Sequence, residues 1–311
     1  MKNLKVIKIF LIVSLVYTFL MVQENSLASE EKLVPPEDFT YFVTRDSIKI
    51  YYQEIKPEET MKGTLVFFQG IYGGGRRTGL NDTLAENGFA SVIVHQRDTG
   101  YSEGVKGDLK SFDIVEEDYQ ELLDLLKEKE PDLPLFILGH SIGGDFCIWI
   151  ASKRGDLAGV ILVNPATRYP VTKVPFKTKL KFMFDYIFRP GALTIDVTPP
   201  QEISNEKDQE EIKAAARDEL CLQKMSVRYA MAARKLWEDS VKNASTANSP
   251  VLIIYGGQDD VIDHSETEKV YEVWKYPAKT RIVIPEAGHG WHIYEHCTDT
   301  IINWLNEAVE R

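Results

Sequence analysis

The sequence predicts an α/β domain with a mostly parallel central sheet, helices on both faces of it and a helical insertion late in the chain. Three observations carry this. Short apolar runs alternate with helix-period segments from residue 64 to 163, and again from residue 251 to the end. One run, Leu135–Leu138, opens directly into Gly139-His140-Ser141-Ile142-Gly143, and the stretch after it, Asp145–Lys153, reads as a helix. Between Pro165 and Asn248 the alternation stops and no convincing strand is present.

The first residues read as an address rather than as structure. Lys2, Lys5 and Lys8 precede an apolar segment, Ile9–Val22, and Ser26-Leu27-Ala28 supplies small residues for cleavage. A signal peptide over 1–28 is expected, with the mature chain exported to a secreted or periplasmic location. The alternative is an uncleaved leader that anchors the protein in the membrane. Losing this segment removes three lysines and one glutamate, so the formal charge of −11 becomes −13. So acidic a chain argues against a nucleic-acid partner. The cysteines Cys147, Cys221 and Cys297 are too few and too scattered for a disulfide framework, and Cys147 reads as a buried small apolar residue.

Phe39–Arg45 and Ile48–Ile55 alternate about Asp46-Ser47 and predict a hairpin. Thr64–Phe68 is a fully apolar strand ending in Gln69-Gly70-Ile71-Tyr72. A helix around Leu80–Asn87, stopped by Gly88, leads to the strand Ala90–Val94. Val115, Tyr119, Leu122 and Leu126 mark the apolar face of a long helix that Pro131 closes. After the Leu135 strand and its helix comes a sixth strand, Val160–Val163. The pattern resumes with Val251–Tyr255 and Ile282–Ile284 and closes with a helix over Trp291–Val309. The expected division is therefore 29–164 and 249–311 as two parts of one core. Residues 165–248 form a helical lid between the sixth and seventh strands. Within the lid, a helical segment is expected from about Glu206 to Asp239, after the link Thr198-Pro199-Pro200.

A strand, a tight turn and a helix around Gly-x-Ser-x-Gly make a nucleophile elbow, in which only small residues fit at Gly139 and Gly143. A serine hydroxyl at neutral pH needs a base, and the base needs an acid to orient it. In this architecture they follow the serine in the order acid, then histidine. The loop after the Val251 strand holds Asp259, and the loop after the Ile282 strand holds His289. Ser141 is thus expected as nucleophile, Asp259 as acid and His289 as base. Asp260 and Asp263 are the alternatives to Asp259, and His292 and His296 to His289. His264 reads as a loop or helix-start residue. The i,i+4 pair His292 and His296 lacks the glutamate that a metalloprotease helix carries after its first histidine, since Ile293 stands there, so no metal is expected. The backbone N–H groups of Ile142 and Ile71 are expected to hold an oxyanion, with Tyr72 the alternative to Ile71. Gly73-Gly74-Gly75 lacks the Gly-Lys-Ser/Thr ending of a phosphate loop, which argues against a nucleotide cofactor.

Phe176–Phe188 is the aromatic part of the lid. On a helix, Phe176, Leu180, Met183 and Ile187 form one stripe, expected to pack on the core. Phe182 and Tyr186 form another, expected to bind the acyl part of a substrate. Lys177, Lys179 and Lys181 would suit contact with an anionic membrane surface.

With the elbow, the acid and the base placed, the chain resembles the α/β-hydrolase superfamily, and within it the monoacylglycerol lipase/lysophospholipase-like group, which includes serine aminopeptidase-like enzymes. The likeness runs from about Thr40 to Ala308. The group's His-Gly before the oxyanion loop is here Gln69-Gly70. Its Asp-x-Arg-Gly-x-Gly-x-Ser segment is His95-Gln96-Arg97-Asp98-Thr99-Gly100-Tyr101-Ser102, so Arg97, Gly100 and Ser102 match while His95 replaces the Asp and Asp98 the first Gly. The resemblance implies a serine hydrolase of carboxylic esters, of lipid type, working through an acyl-enzyme without metal or cofactor. An aminopeptidase or amidase on the same three residues is the alternative, for which Glu206, Asp208, Glu210 and Glu211 would be the candidate amine-holding carboxylates. A third reading is a binding protein that has lost the chemistry.

Overall fold

The central sheet has eight strands. In chain order they are β1 (Phe39–Val43), β2 (Lys49–Ile55), β3 (Gly63–Phe68), β4 (Phe89–Val94), β5 (Leu135–His140), β6 (Gly159–Val163), β9 (Val251–Gly256) and β10 (Lys279–Ile284), arranged β1-β2-β4-β3-β5-β6-β9-β10. The computed structural model describes residues 33–71, 74–168, 176–197 and 203–310, so the leader, Tyr72 and the Thr198-Pro199-Pro200 link lie outside the described residues. β1 and β2 form the expected antiparallel hairpin, with Val43 opposite Lys49, and β2 also runs antiparallel to β4. All other neighbours in the sheet are parallel.

Every residue of β3, β4, β5 and β6 is buried, which is why they read as unbroken apolar runs rather than as alternations. Successive side chains still go to opposite faces. Val66 and Phe68 join a core beneath α2 (Asp113–Lys129), α3 (Ile142–Lys153) and α7 (Ser265–Val273). Leu65 and Phe67 join a second core beneath α1 (Gly79–Glu86) and α8 (Tyr294–Val309). The chain winds from β3 to β4 on one side and returns to β5 on the other. The loops after β3 and β5 therefore part at a topological switch point, where open α/β sheets collect their ligands.

The insertion departs from expectation in three respects. It contains two short strands, β7 (Leu193–Asp196) and β8 (Lys224–Ser226), paired antiparallel. They are too short and too exposed to leave an apolar signal. The single helix expected over 206–239 is two helices, α5 (Glu206–Ala215) and α6 (Val227–Ala244). Polar side chains compete for the backbone between them. Asp218 accepts from Leu220 N at 3.0 Å, and Ser226 caps α6 by accepting from Tyr229 N at 3.1 Å. Tyr229, Ala233 and Leu236 then carry α6 into the core layer beside α3.

The third departure is α4 (Phe176–Phe188). The stripe expected to pack inward is exposed: Phe176 by 74%, Leu180 by 44%, Met183 by 53% and Ile187 by 60%. Phe182 is half-buried, and the one fully buried residue of the helix is Asp185, ion-paired with Arg189 and Lys181. The covered position on this helix is a charge beneath its own ion-pair partners, not an apolar stripe. The three cysteines are buried and unbridged.

Candidate active site

Ser141 sits between β5 and α3 at φ 54° and ψ −126°, a conformation that costs a non-glycine residue energy and that the surrounding turn must impose. The neighbours are packed to the limit. A Cβ on Gly139 would overlap the carbonyl of Gly143, and one on Gly143 would overlap that of Phe68 at the end of β3. A Cβ on Gly70 would lie 3.1 Å from that of Ser141, so the peptide linking Gly70 to Ile71 runs against the serine. The Ile142 amide opens α3, among the first-turn N–H groups that have no acceptor within a helix. Ile71 thus follows a residue packed against Ser141, and Ile142 follows Ser141 itself.

His289 lies in the loop after β10. Its Nε2 accepts from Ser141 Oγ at 3.0 Å, and its Nδ1 donates to Asp259 Oδ2 at 2.8 Å. Asp259, in the loop after β9, is held rigidly: its Oδ1 accepts from Val261 N at 2.8 Å and Ile262 N at 2.9 Å. Burial raises its pKa, but the charges and hydrogen bonds of His289 and His264 overcome this and hold the carboxyl well below the usual carboxylate range. For His289, burial lowers the pKa, yet Asp259 first and then Asp208 and Glu211 raise it above the ordinary imidazole value. The structure brings Ser141, His289 and Asp259 into one chain of hydrogen bonds. The alternatives point elsewhere. Asp260 accepts from Ser204 N at 2.9 Å, Asp263 from Ser265 N at 3.0 Å, and His296 lies 3.3 Å from Glu286. Tyr186 is exposed and lines a cavity of about 250 Å³ walled by residues of α2, α3, α4 and α6, and no member of the Ser141 relay lines it.

Several contributors escape a reading of the sequence. His264 Nε2 is a second donor to Asp259 Oδ2, at 2.9 Å, and its ring stacks on Tyr255. Only the fold brings it there, since its position opening α7 gives no periodic signal. His140 Nε2 donates to the His289 carbonyl at 2.9 Å, and burial pushes its pKa down to about 3. Asn164 Nδ2 donates to the same carbonyl at 2.9 Å and to that of Gly288 at 3.0 Å, while its Oδ1 accepts from Gly256 N. It has φ 44°, and asparagine at the break in the alternation was the available clue.

The loop that departs from the resemblance is explained by its contacts. Arg97 forks onto Asp118 and Asp46, and Ser102 Oγ donates to the His95 carbonyl at 2.7 Å while accepting from Tyr51 N. These matching residues tie the loop to β2 and α2. Asp98 keeps the left-handed φ, 70°, that suits the glycine it replaces. The Gln69 and His95 substitutions meet at one residue. Gln69 Oε1 accepts from Gly75 N at 2.8 Å, and His95 Nε2 donates to the Gly75 carbonyl at 3.1 Å.

Comparison with known proteins gives one consistent neighbourhood. Residues 59–296 match the family described as serine aminopeptidase, S33. Human monoglyceride lipase is 24% identical over 94% of this chain and 96% of its own length. A phospholipase of Bacillus subtilis is 27% identical over 61% of this chain and 72% of its own. The monoglyceride lipase of Saccharomyces cerevisiae, solved as a soluble variant with a substrate analogue, superposes with a TM-score of 0.71 at 20% identity, over 90% of this chain and 97% of that one. At that identity the superposition speaks for the fold alone.

Proposed function

This chain belongs to the serine aminopeptidase S33 family, and from that premise we propose that it hydrolyses carboxylic esters through an acyl-enzyme, on a lipid-type substrate such as a monoacylglycerol or a lysophospholipid. The observation that carries the reading is the relay from Asp259 through His289 to Ser141 on a strained elbow. Ser141 Oγ attacks the acyl carbon as His289 Nε2 takes its proton. The amides of Ile71 and Ile142 hold the oxyanion. Collapse breaks the ester bond and the leaving alcohol takes the proton from His289. A water, deprotonated by His289, then attacks the acyl carbon, releases the acid and returns the proton to Ser141. No cofactor or metal enters these steps.

The lipid assignment is supported by the monoglyceride lipase and phospholipase relatives. It is supported also by α4, where exposed aromatic and aliphatic residues are interleaved with Lys177, Lys179 and Lys181, a composition suited to a membrane surface. We take the insertion as a lid on the same grounds, and the leader as directing export. The family description favours a second reading, cleavage of an aminoacyl bond. That chemistry needs carboxylates free to hold a substrate amine. Asp208 and Glu211, the half of the acidic run that turns inward, are each already engaged by two backbone amides.

Labelling with a fluorophosphonate probe, followed by peptide mapping, tests the reading. The expected result is a single adduct on Ser141 and none in the Ser141→Ala variant. An unlabelled native chain would return the protein to the binding-protein reading.

A further inference from the structure

The acidic run on α5 has no place in the chemistry above, yet two of its members reach the base. Asp208 Oδ2 accepts from His289 N at 2.8 Å and Oδ1 from Gly290 N at 2.7 Å. Glu211 Oε2 accepts from Trp291 N at 2.6 Å and Oε1 from His292 N at 2.9 Å. Four consecutive amides are thus taken by two carboxylates three residues apart, on one face of a helix. These amides begin the 3₁₀ turn Trp291–Ile293 that leads into α8, where N–H groups need an outside acceptor and negative charge is favoured. Gly288 and Gly290 leave the room: a Cβ on either would overlap these carboxylates.

We propose that Asp208 and Glu211 are positioning residues, a clasp by which the inserted segment holds His289 in register with Ser141 and Asp259. The His289 peptide is gripped from both sides, its N–H by Asp208 and its carbonyl by His140 and Asn164. The core supplies the second grip and the insertion the first. The same segment reaches the acid loop: Ser204 N donates to Asp260, and Asn205 Nδ2 lies 3.4 Å from Gln258 Oε1. Lys207 pairs with Glu295 on α8 at 2.6 Å. Undocking α5 would release both loops together.

A metal site is the competing reading, because Asp208, Glu211 and His292 cluster closely enough to bracket a cation. The hydrogen bonds already made there decide against it. Gly288 N donates to His292 Nε2 at 3.2 Å, and Nδ1, 3.4 Å from both carboxylates, makes no hydrogen bond among the described residues. The carboxylates weigh more, since each of their four oxygens already accepts from a backbone amide.

The groups facing His289 are Asp259 with His264 behind it, His140 from β5, His292 from the 3₁₀ turn, and Asp208 and Glu211 from α5. Removing the last two charges should therefore lower the pH at which His289 titrates. The inference rests on His289 being the base, so the test has two readouts. In the first, the His289 imidazole is titrated by NMR in the native protein, in Asp208→Asn/Glu211→Gln and in Glu206→Gln/Glu210→Gln, which removes two charges from the exposed side of the same helix. Only the first pair should move the midpoint, and to lower pH. In the second, kcat/KM on a p-nitrophenyl ester should fall about 10- to 100-fold in the first pair, with its acid limb shifted the same way, and stay near native in the second. The single variant Glu211→Gln, at a partly exposed side chain, keeps the comparison available if Asp208→Asn does not fold. Equal His289 midpoints in the two pairs, or a kcat/KM within twofold of native in the first, would overturn the clasp. A native protein inactive on every ester would instead overturn the proposed function, and the NMR titration would still decide the clasp.

Discussion

On the proposed reading, the Ser141 hydroxyl takes its reactivity wholly from its neighbours. His289 accepts from it, and Asp259 fixes the ring so that Nε2 is the free lone pair. Ser141→Ala and His289→Ala should each lower kcat about 10,000-fold or more, and Asp259→Asn somewhat less, because the three act as a unit. Circular dichroism should show all three folded. Because the folded protein raises the His289 pKa, kcat/KM should fall on acidification with a midpoint above the ordinary imidazole value near 6.5. A second titration belongs to Asp145, buried in the first turn of α3, where it accepts from Ser240 Oγ at 2.6 Å. Burial pushes its pKa up to about 7, from 3.8 in an unfolded chain. A group with a raised folded pKa gives its stability below the unfolded value and loses it as pH rises through the folded one. Asp145→Asn, which keeps an acceptor for Ser240, should therefore gain stability relative to native between pH 4 and 7 and level off above. Chemical denaturation across that range reads it, and a difference that is flat with pH would contradict the assignment.

Among the elements, α4 is the one whose sequence and placement disagree most. Its helical period was legible, and its inward face was not. Apolar periodicity points to the stripe Phe176, Leu180, Met183 and Ile187, but the covered position is Asp185, beneath the exposed side chains of Arg189 and Lys181. That leaves apolar surface beside cations, and it predicts binding to anionic vesicles. Each lysine near such a surface is worth about 1 kcal/mol, so Lys177→Glu with Lys179→Glu should reduce co-sedimentation with phosphatidylserine vesicles at least about tenfold. Soluble p-nitrophenyl acetate should be hydrolysed as before. Unchanged sedimentation would remove α4 from any membrane role.

Across the whole molecule, the core was legible because it is built from runs that can only be buried. β3 to β6 have no exposed residue, and the glycines of the elbow are required by backbone contacts under van der Waals distance. The grouping of Ser141, Asp259 and His289 was legible from their chain order in the loops after β5, β9 and β10. The site was illegible where a residue acts through a partner that only folding supplies. His264 stands in a loop without periodic signal, and Asp208 and Glu211 have the composition of a solvated helix face while holding amides some eighty positions away. The 206–239 segment read as one helix because helix propensity is local, whereas the side-chain bonds of Asp218 and Ser226 that break it are specific to this packing.

Ester hydrolysis by Ser141 on a lipid-type substrate carries with it a preference for longer acyl chains. Each methylene buried in an acyl site contributes about 0.8 kcal/mol, so an acyl-binding enzyme should gain several-fold per step until the site is full. The decisive measurement is kcat/KM for p-nitrophenyl esters from acetate to palmitate, beside a monoacylglycerol, a lysophospholipid and alanine p-nitroanilide, in the native protein and in Ser141→Ala. The expected result is a rise from acetate to at least octanoate, turnover of a lipid ester well above that of the anilide, and loss of all of it in the variant. Activity that survives Ser141→Ala, or a native profile that peaks at acetate and falls steadily, would contradict it.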